Sequence, residues 1–172
     1  MISLNSLSYF LIAFVGLRAT VAAPSVGKHY PDVIPGPGLP SLEDLNLTSA
    51  ELYTMPLSQL PNDEMSVMLT PGCGPGNAYT NVTGLIACFN YLNSLGGTRC
   101  VVGASGKTEF CHADSSRALG ESVTGRSESS ACSDVAFGLL WVIDHCTRPD
   151  QSCAGFQAPR GNGNINVTGV RR

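Results

Sequence analysis

His112, Asp114, Ser115 and Ser116 stand together in this chain, and Asp144-His145 forms a second pair. Serine, histidine and aspartate in one place suggest nucleophilic hydrolysis. A Ser-His-Asp triad, however, is assembled by geometry from separated elements, and no Gly-x-Ser-x-Gly elbow occurs. These residues therefore read as loop and cap residues, and an extracellular hydrolase built on His112 or His145 is a minor alternative. Carboxylate pairs for glycoside chemistry would come from Glu109, Asp114, Glu121 and Asp134, whose spacing singles out no two of them. Cys111-His112 and His145-Cys146 lack metal-finger spacing, and oxidised cysteines cannot ligate zinc. The stretch GCGPGN at 72–77 lacks the Lys-Ser/Thr end of a phosphate loop and reads as a turn. No catalytic residue, metal site or cofactor is expected, which favours a binding protein over an enzyme.

The remaining reactive groups are seven cysteines, all between Cys73 and Cys153. Their compartment is set by the first residues. Leu7 to Leu17 is an apolar run too short to span a bilayer, followed by the small residues ATVAAPS. Thr20 and Ala22 suit a signal-peptidase site, so residues 1–22 read as a secretory signal peptide. Secretion makes clustered cysteines a disulfide set. Asn-x-Thr acceptors at Asn46, Asn81 and Asn166 fit a glycoprotein. No apolar tail or second long apolar run suggests a stable membrane anchor.

Residues 23–72 carry one lysine against six acidic residues and most of the prolines. Proline blocks helix and ladder hydrogen bonds, and no apolar period repeats here. This segment reads as a mostly disordered, extended leader, with a short helical turn within SAELYTMPLSQL. Residues 73–172 form the cysteine-rich domain. They are close to neutral and show no basic stripe, so nucleic acid is not an expected partner.

Within that domain, Val82, Leu85, Ile86, Phe89 and Leu92 make one apolar helical stripe, with Asn90, Asn93 and Ser94 facing away. Thr80 or Asn81 caps this helix and Gly96-Gly97 ends it. Two strands, about 99–103 and 108–113, read as a hairpin, and ALGESVTG as a third strand. A second helix covers Cys132 to Cys146, capped by Ser129 or Ser130, with Asp134 near its start and Trp141 in the core. Ile165 and Val167 alternate with Asn166 and Thr168 in a final strand. The expectation is an α+β fold of order α-β-β-β-α-β, two helices packed on a small antiparallel sheet and stapled by disulfides.

A continuous helix would hold Cys132 and Cys146 about 21 Å apart. A disulfide needs Cα atoms within about 7 Å. The two cannot bond each other, so each staples a helix end to another element. Cys73, Cys88, Cys100, Cys111, Cys132 and Cys146 form the disulfide set, with fifteen pairings open. Cys153 is left over in a loop, free or pairing between chains. A monomer is expected, with a dimer available through Cys153.

The pattern Cys132-x-Asp134-Val135-Ala136-x-Gly138-x-x-Trp141-x-x-x-x-Cys146, followed by Gly161-Asn162-Gly163 and a closing strand, resembles small secreted fungal proteins. The layout over about 73–170 is similar to the necrosis-inducing-factor family of extracellular fungal effectors. More distantly it resembles the α/β-sandwich of the smut-fungus killer toxin. The resemblance carries over no catalytic residue. It implies a secreted, virulence-associated effector that binds a host protein, or a killer-toxin-like antimicrobial that binds a competitor's. A cell-wall or developmental role is a further alternative.

Overall fold

The computed structural model describes residues 28–59 and 69–172. The signal peptide expected over 1–22 lies outside them. The architecture is α+β. A six-stranded sheet is formed by β1 (Val33–Pro35), β5 (Lys107–Ala113), β6 (Ser116–Ser122), β10 (Ile165–Arg171), β9 (Gly155–Gln157) and β2 (Gly72–Cys73) in that spatial order. Every pairing in it is antiparallel. Two short pairs lie apart from it: β3 (Thr80–Asn81) with β8 (Ser152–Cys153), and β4 (Arg99–Val102) with β7 (Glu128–Ala131). Helices α2 (Val82–Ser94) and α3 (Cys132–Cys146) pack against each other and on one face of the sheet, α2 over β5 and β6, α3 over β9 and β10.

The apolar stripe of α2 explains its place. Val82, Leu85, Phe89 and Leu92 are buried against the sheet and α3. Asn81 caps the helix, its Oδ1 accepting from the Thr83 N–H at 2.9 Å. Gly84 has no side chain because α2 rests on the β5–β6 turn there: a Cβ would come within 2.7 Å of the Ala113 carbonyl and the Ser116 hydroxyl. In α3, Val135, Leu139, Val142, Ile143 and Cys146 are buried together.

The disulfides are Cys73–Cys146, Cys88–Cys111 and Cys100–Cys132, with Cα separations of 5.3, 5.6 and 5.0 Å. Both ends of α3 are thus stapled, its start to β4 and its end to β2, and α2 is bonded to β5. Cys153 is the free cysteine and is fully buried, its sulfur 3.4 Å from the Val142 carbonyl. It lies on β8 opposite Thr80 rather than in a loop, and a thiol without exposure is not offered to a second chain.

Several expectations are corrected. The leader is not extended and disordered over 28–59. β1 adds to the edge of β5, and α1 (Ser49–Thr54) lies on α2 with Leu52 fully buried. Two α2 side chains reach back to hold this arm: Tyr91 Oη donates to the Pro40 carbonyl at 2.7 Å, and Asn90 Nδ2 to the Leu52 carbonyl at 2.8 Å. Asn90, expected to face water, is therefore buried beneath the arm. The strand at 99–102 does not pair with the strand at 107–113. The hairpin is β5–β6, whose tight turn puts Asp114 at φ 54°, a conformation a short polar side chain tolerates. Ser129 and Ser130 belong to β7 and do not cap α3. Its first N–H groups are taken by backbone carbonyls instead, Cys132 donating to Thr98 and Ser133 to Gly96. Trp141 is half-buried at the core's rim, stacked on His145 with centroids 4.3 Å apart.

Candidate binding face

The helices cover one face of the sheet; the other face is open. Strand alternation decides what it shows. β6 turns Ser116, Ala118 and Gly120 inward and presents Arg117, Leu119 and Glu121 outward. β10 turns Ile165, Val167 and Gly169 inward and presents Asn166, Thr168 and Val170. The register sets Arg117 opposite Val170, Leu119 opposite Thr168, and Glu121 opposite Asn166. Thr168 in turn faces Phe156 on β9.

A groove of about 690 Å³ runs over this face. Leu119 and Val170 give it an apolar floor, and Phe156 forms one wall. The Phe156 ring leans across Gly72, where a Cβ would sit 2.8 Å from the ring, so only glycine admits that pose. Lys107, Arg117, Arg171 and Arg172 line the groove with positive charge, and no Asp or Glu side chain lines it. Two carboxylates stand just outside: Glu121 is 3.9 Å from Lys107, and Glu109 is 3.9 Å from Arg117. Arg171 donates its Nε–H to the Tyr79 carbonyl at 3.1 Å. Among the described residues, neither Arg171 nor Arg172 has a carboxylate within ion-pair distance.

Two polar atoms of the groove are sealed from solvent without a protein partner: the Nε of Arg117 and the Oδ1 of Asn166. Leaving a buried donor or acceptor unpaired costs about 1–3 kcal/mol.

The hydroxyl, histidine and carboxyl residues do not assemble into a triad. Ser116 faces inward and donates to the Asn81 carbonyl at 2.8 Å. Ser115 is bonded to Asp114 and Thr80. His112 faces the open side and pairs with Glu109, Nδ1 to Oε1 at 2.6 Å. Residues three apart on a regular strand point to opposite faces. The bulge between Glu109 and Cys111 removes that parity and brings Glu109 and His112 together beside Arg117. His145 lies on the helical side, stacked on Trp141 and 3.9 Å from Asp144. Of the four carboxylates considered as glycosidase pairs, Asp134 is held by Arg160 at 3.1 Å near the start of α3, on a different element from the sheet residues Glu109 and Glu121. Among the described residues, no group of three or more His, Cys, Asp and Glu is placed to hold a metal ion. No helix of the described residues is long and apolar enough to cross a membrane.

The glycosylation acceptors differ in setting. Asn46 and Asn81 are exposed, while Asn166 is half-buried on the floor of the groove. A glycan on Asn166 would fill that groove. The groove itself was missed in the sequence. Its signal was the outward alternation of Arg117, Leu119 and Glu121 and of Asn166, Thr168 and Val170, but their adjacency depends on strand order.

No curated protein and no solved structure matches the chain. None of the comparisons connects it to the necrosis-inducing-factor or killer-toxin families. Residues 72–171 match a family described as a domain of unknown function, DUF8794. The match takes in more than half of the chain, from β2 through β10, and leaves the arm outside. The chain belongs to the DUF8794 family.

Proposed function

We propose that this protein is a secreted effector that acts by binding a target outside the producing cell, through the open face of its sheet. The observation that carries the reading is the cation-lined groove with its apolar floor. Three disulfides suit an oxidising compartment, as does the signal-peptide pattern of residues 1–22. The resemblance of about 73–170 to secreted fungal effectors favours a host target. The groove recognises by shape and charge, and no catalytic chemistry is assigned to it.

The test is to apply purified oxidised protein, beside a reduced and alkylated control, to plant leaf tissue and to growing fungal and bacterial cells. A host response lost on reduction is the expected result. Microbial growth inhibition without a host response would replace the reading with a killer-toxin-like one. Silence in both would move it to a wall or developmental role. A response abolished by His112→Ala in a correctly folded protein would point to hydrolysis instead.

A further inference from the structure

The arm meets the rest of the fold along a cleft of about 320 Å³. Lys28, Tyr30 and Tyr53 line it from the arm, and Asn81, Thr83 and Asp114 from the domain. Tyr30 and Tyr53 stack with ring centroids 5.4 Å apart, and both side chains are only half-buried. Asn81 and Thr83 are exposed at the same cleft and belong to one acceptor sequence, Asn81-Val82-Thr83.

That acceptor is held in one pose. Asn81 pairs with Ser152 across β3 and β8, and its carbonyl accepts from the Ser116 hydroxyl at 2.8 Å. Its Oδ1 accepts from both the N–H and the hydroxyl of Thr83, each at 2.9 Å. Among the described residues its Nδ2 has no protein partner. A sugar attaches through Nδ2 alone, so the cap on α2 survives attachment. The other two acceptors lack this setting. Asn46 stands on a turn of the arm itself, at φ 51°, and Asn166 is half-buried on the sheet with its Oδ1 sealed.

Asn81 also borders a second cleft, beside Asp150, Ser152 and Arg171. The aromatic ring there, Tyr79, already has one face covered by the Arg148 guanidinium, 3.2 Å from the ring centre. A pyranose presents C–H groups on its face and hydroxyl groups at its edge. The C–H groups pack on the negative face of an aromatic ring. The tyrosine pair offers such faces, and Asp114 and Thr83 beside it take hydroxyl groups.

We infer that Asn81 carries an N-glycan whose innermost sugar lies in this cleft against Tyr30 and Tyr53 and clamps the arm to the domain. The inference rests on the secretion assigned to the chain above. Attachment joins C1 of the reducing-end sugar to Asn81 Nδ2. It breaks the bond from that carbon to the pyrophosphate of a lipid-linked oligosaccharide donor and releases one amide proton. The glycan thus bridges two parts of the fold that few side chains connect, and it stands away from the cation-lined groove.

The experiment is secretion of the full chain from a yeast host under its own first 22 residues, with glycopeptide mass spectrometry at Asn81. The same chain made oxidised in a bacterial periplasm carries no N-glycan and is the reference. Asn81 should be occupied in the secreted protein. Amide exchange over 30–35 and 49–54 should be roughly fivefold slower in the glycosylated protein than in the reference. Thr83→Val removes the acceptor sequence but keeps the Asn81 cap on the backbone N–H, so yeast and bacterial forms of this variant should exchange alike. In Tyr30→Ala, the difference between yeast and bacterial forms should shrink toward none, which separates the clamp from any loss the substitution itself causes. A secreted chain with Asn81 unmodified would overturn the site. An occupied Asn81 with equal exchange in both forms would overturn the clamp. A chain retained inside the host would overturn the secretory reading, and this inference with it.

Discussion

Removing the Cys73–Cys146 disulfide tests the stapling argument most cleanly. Cys73 lies exposed on β2 and its replacement loses little packing, while Cys146 is buried and its replacement adds a smaller packing loss to the effect of the closed loop. The bond spans 73 residues of sequence. Loop-closure entropy for that length is worth about 4.4 kcal/mol at room temperature. The same relation gives about 3.7 kcal/mol for Cys100–Cys132 and about 3.4 kcal/mol for Cys88–Cys111, which span 32 and 23 residues. The loops overlap, so these figures do not add. Cys73→Ala/Cys146→Ala should therefore be destabilised by about 4 kcal/mol, a large share of the roughly 5–15 kcal/mol that holds most domains folded. Guanidinium unfolding followed by far-ultraviolet circular dichroism reads it as a fall in midpoint. Freeing β2 also frees Gly72, against which Phe156 is set, so the groove loses a wall. A loss below about 1 kcal/mol would refute the argument.

Further outcomes follow from the arm, the buried thiol and the carboxylates. Leu52→Ala removes a fully buried side chain between α1 and α2 and should cost about 2–5 kcal/mol, read as early protease cutting within 28–59; unchanged protection would refute the arm as part of the fold. Burial pushes the Cys153 thiol above its ordinary 9.0, against a smaller downward pull from Thr147. With its folded value raised, its contribution is full below pH 9.0 and is lost as pH rises further. Native protein should resist iodoacetamide at Cys153 until unfolded, and ready alkylation under native conditions would contradict the burial. In the arm, the Thr48 hydroxyl holds Glu51 below its ordinary 4.5 and the Ser41 hydroxyl holds Asp44 below 3.8. Lowered folded values give stability that is present above those figures and lost as pH falls through the depressed ones. Amide-exchange protection in 41–54, taken relative to the intrinsic rate at each pH, should therefore fall on acidification below about pH 4 before the disulfide-bonded core opens. Simultaneous opening of both would refute a separately latched arm.

The two helices were legible because periodicity and end signals agree: the stripe from Val82 to Leu92 between Asn81 and Gly96, and the run from Val135 to Cys146. Helix length alone forced Cys132 and Cys146 to separate partners. The arm was not legible. β1 is three residues long, flanked by Pro31 and ending in Pro35, a composition that reads as loop but is tolerated at a sheet edge. Its anchors are isolated apolar residues, Val33 and Leu52, whose partners lie on distant elements. β7 reads ESSA, polar throughout, and shows no alternation, so β4 was given the wrong partner. The Glu109–His112 pair was hidden by a bulge that a strict two-residue period cannot anticipate. The groove needed strand order, which places the closing strand β10 beside β6 in the middle of the sheet.

That the open face is the working surface is tested most directly by charge reversal. Wild type, Lys107→Glu/Arg172→Glu in the groove, and Asp144→Lys on the exposed helical side would be applied in equal amounts to leaf tissue and microbial cultures, all three oxidised and matched by circular dichroism. A response to wild type and to Asp144→Lys that is lost in the groove variant is the expected result. A groove variant as active as wild type would contradict it.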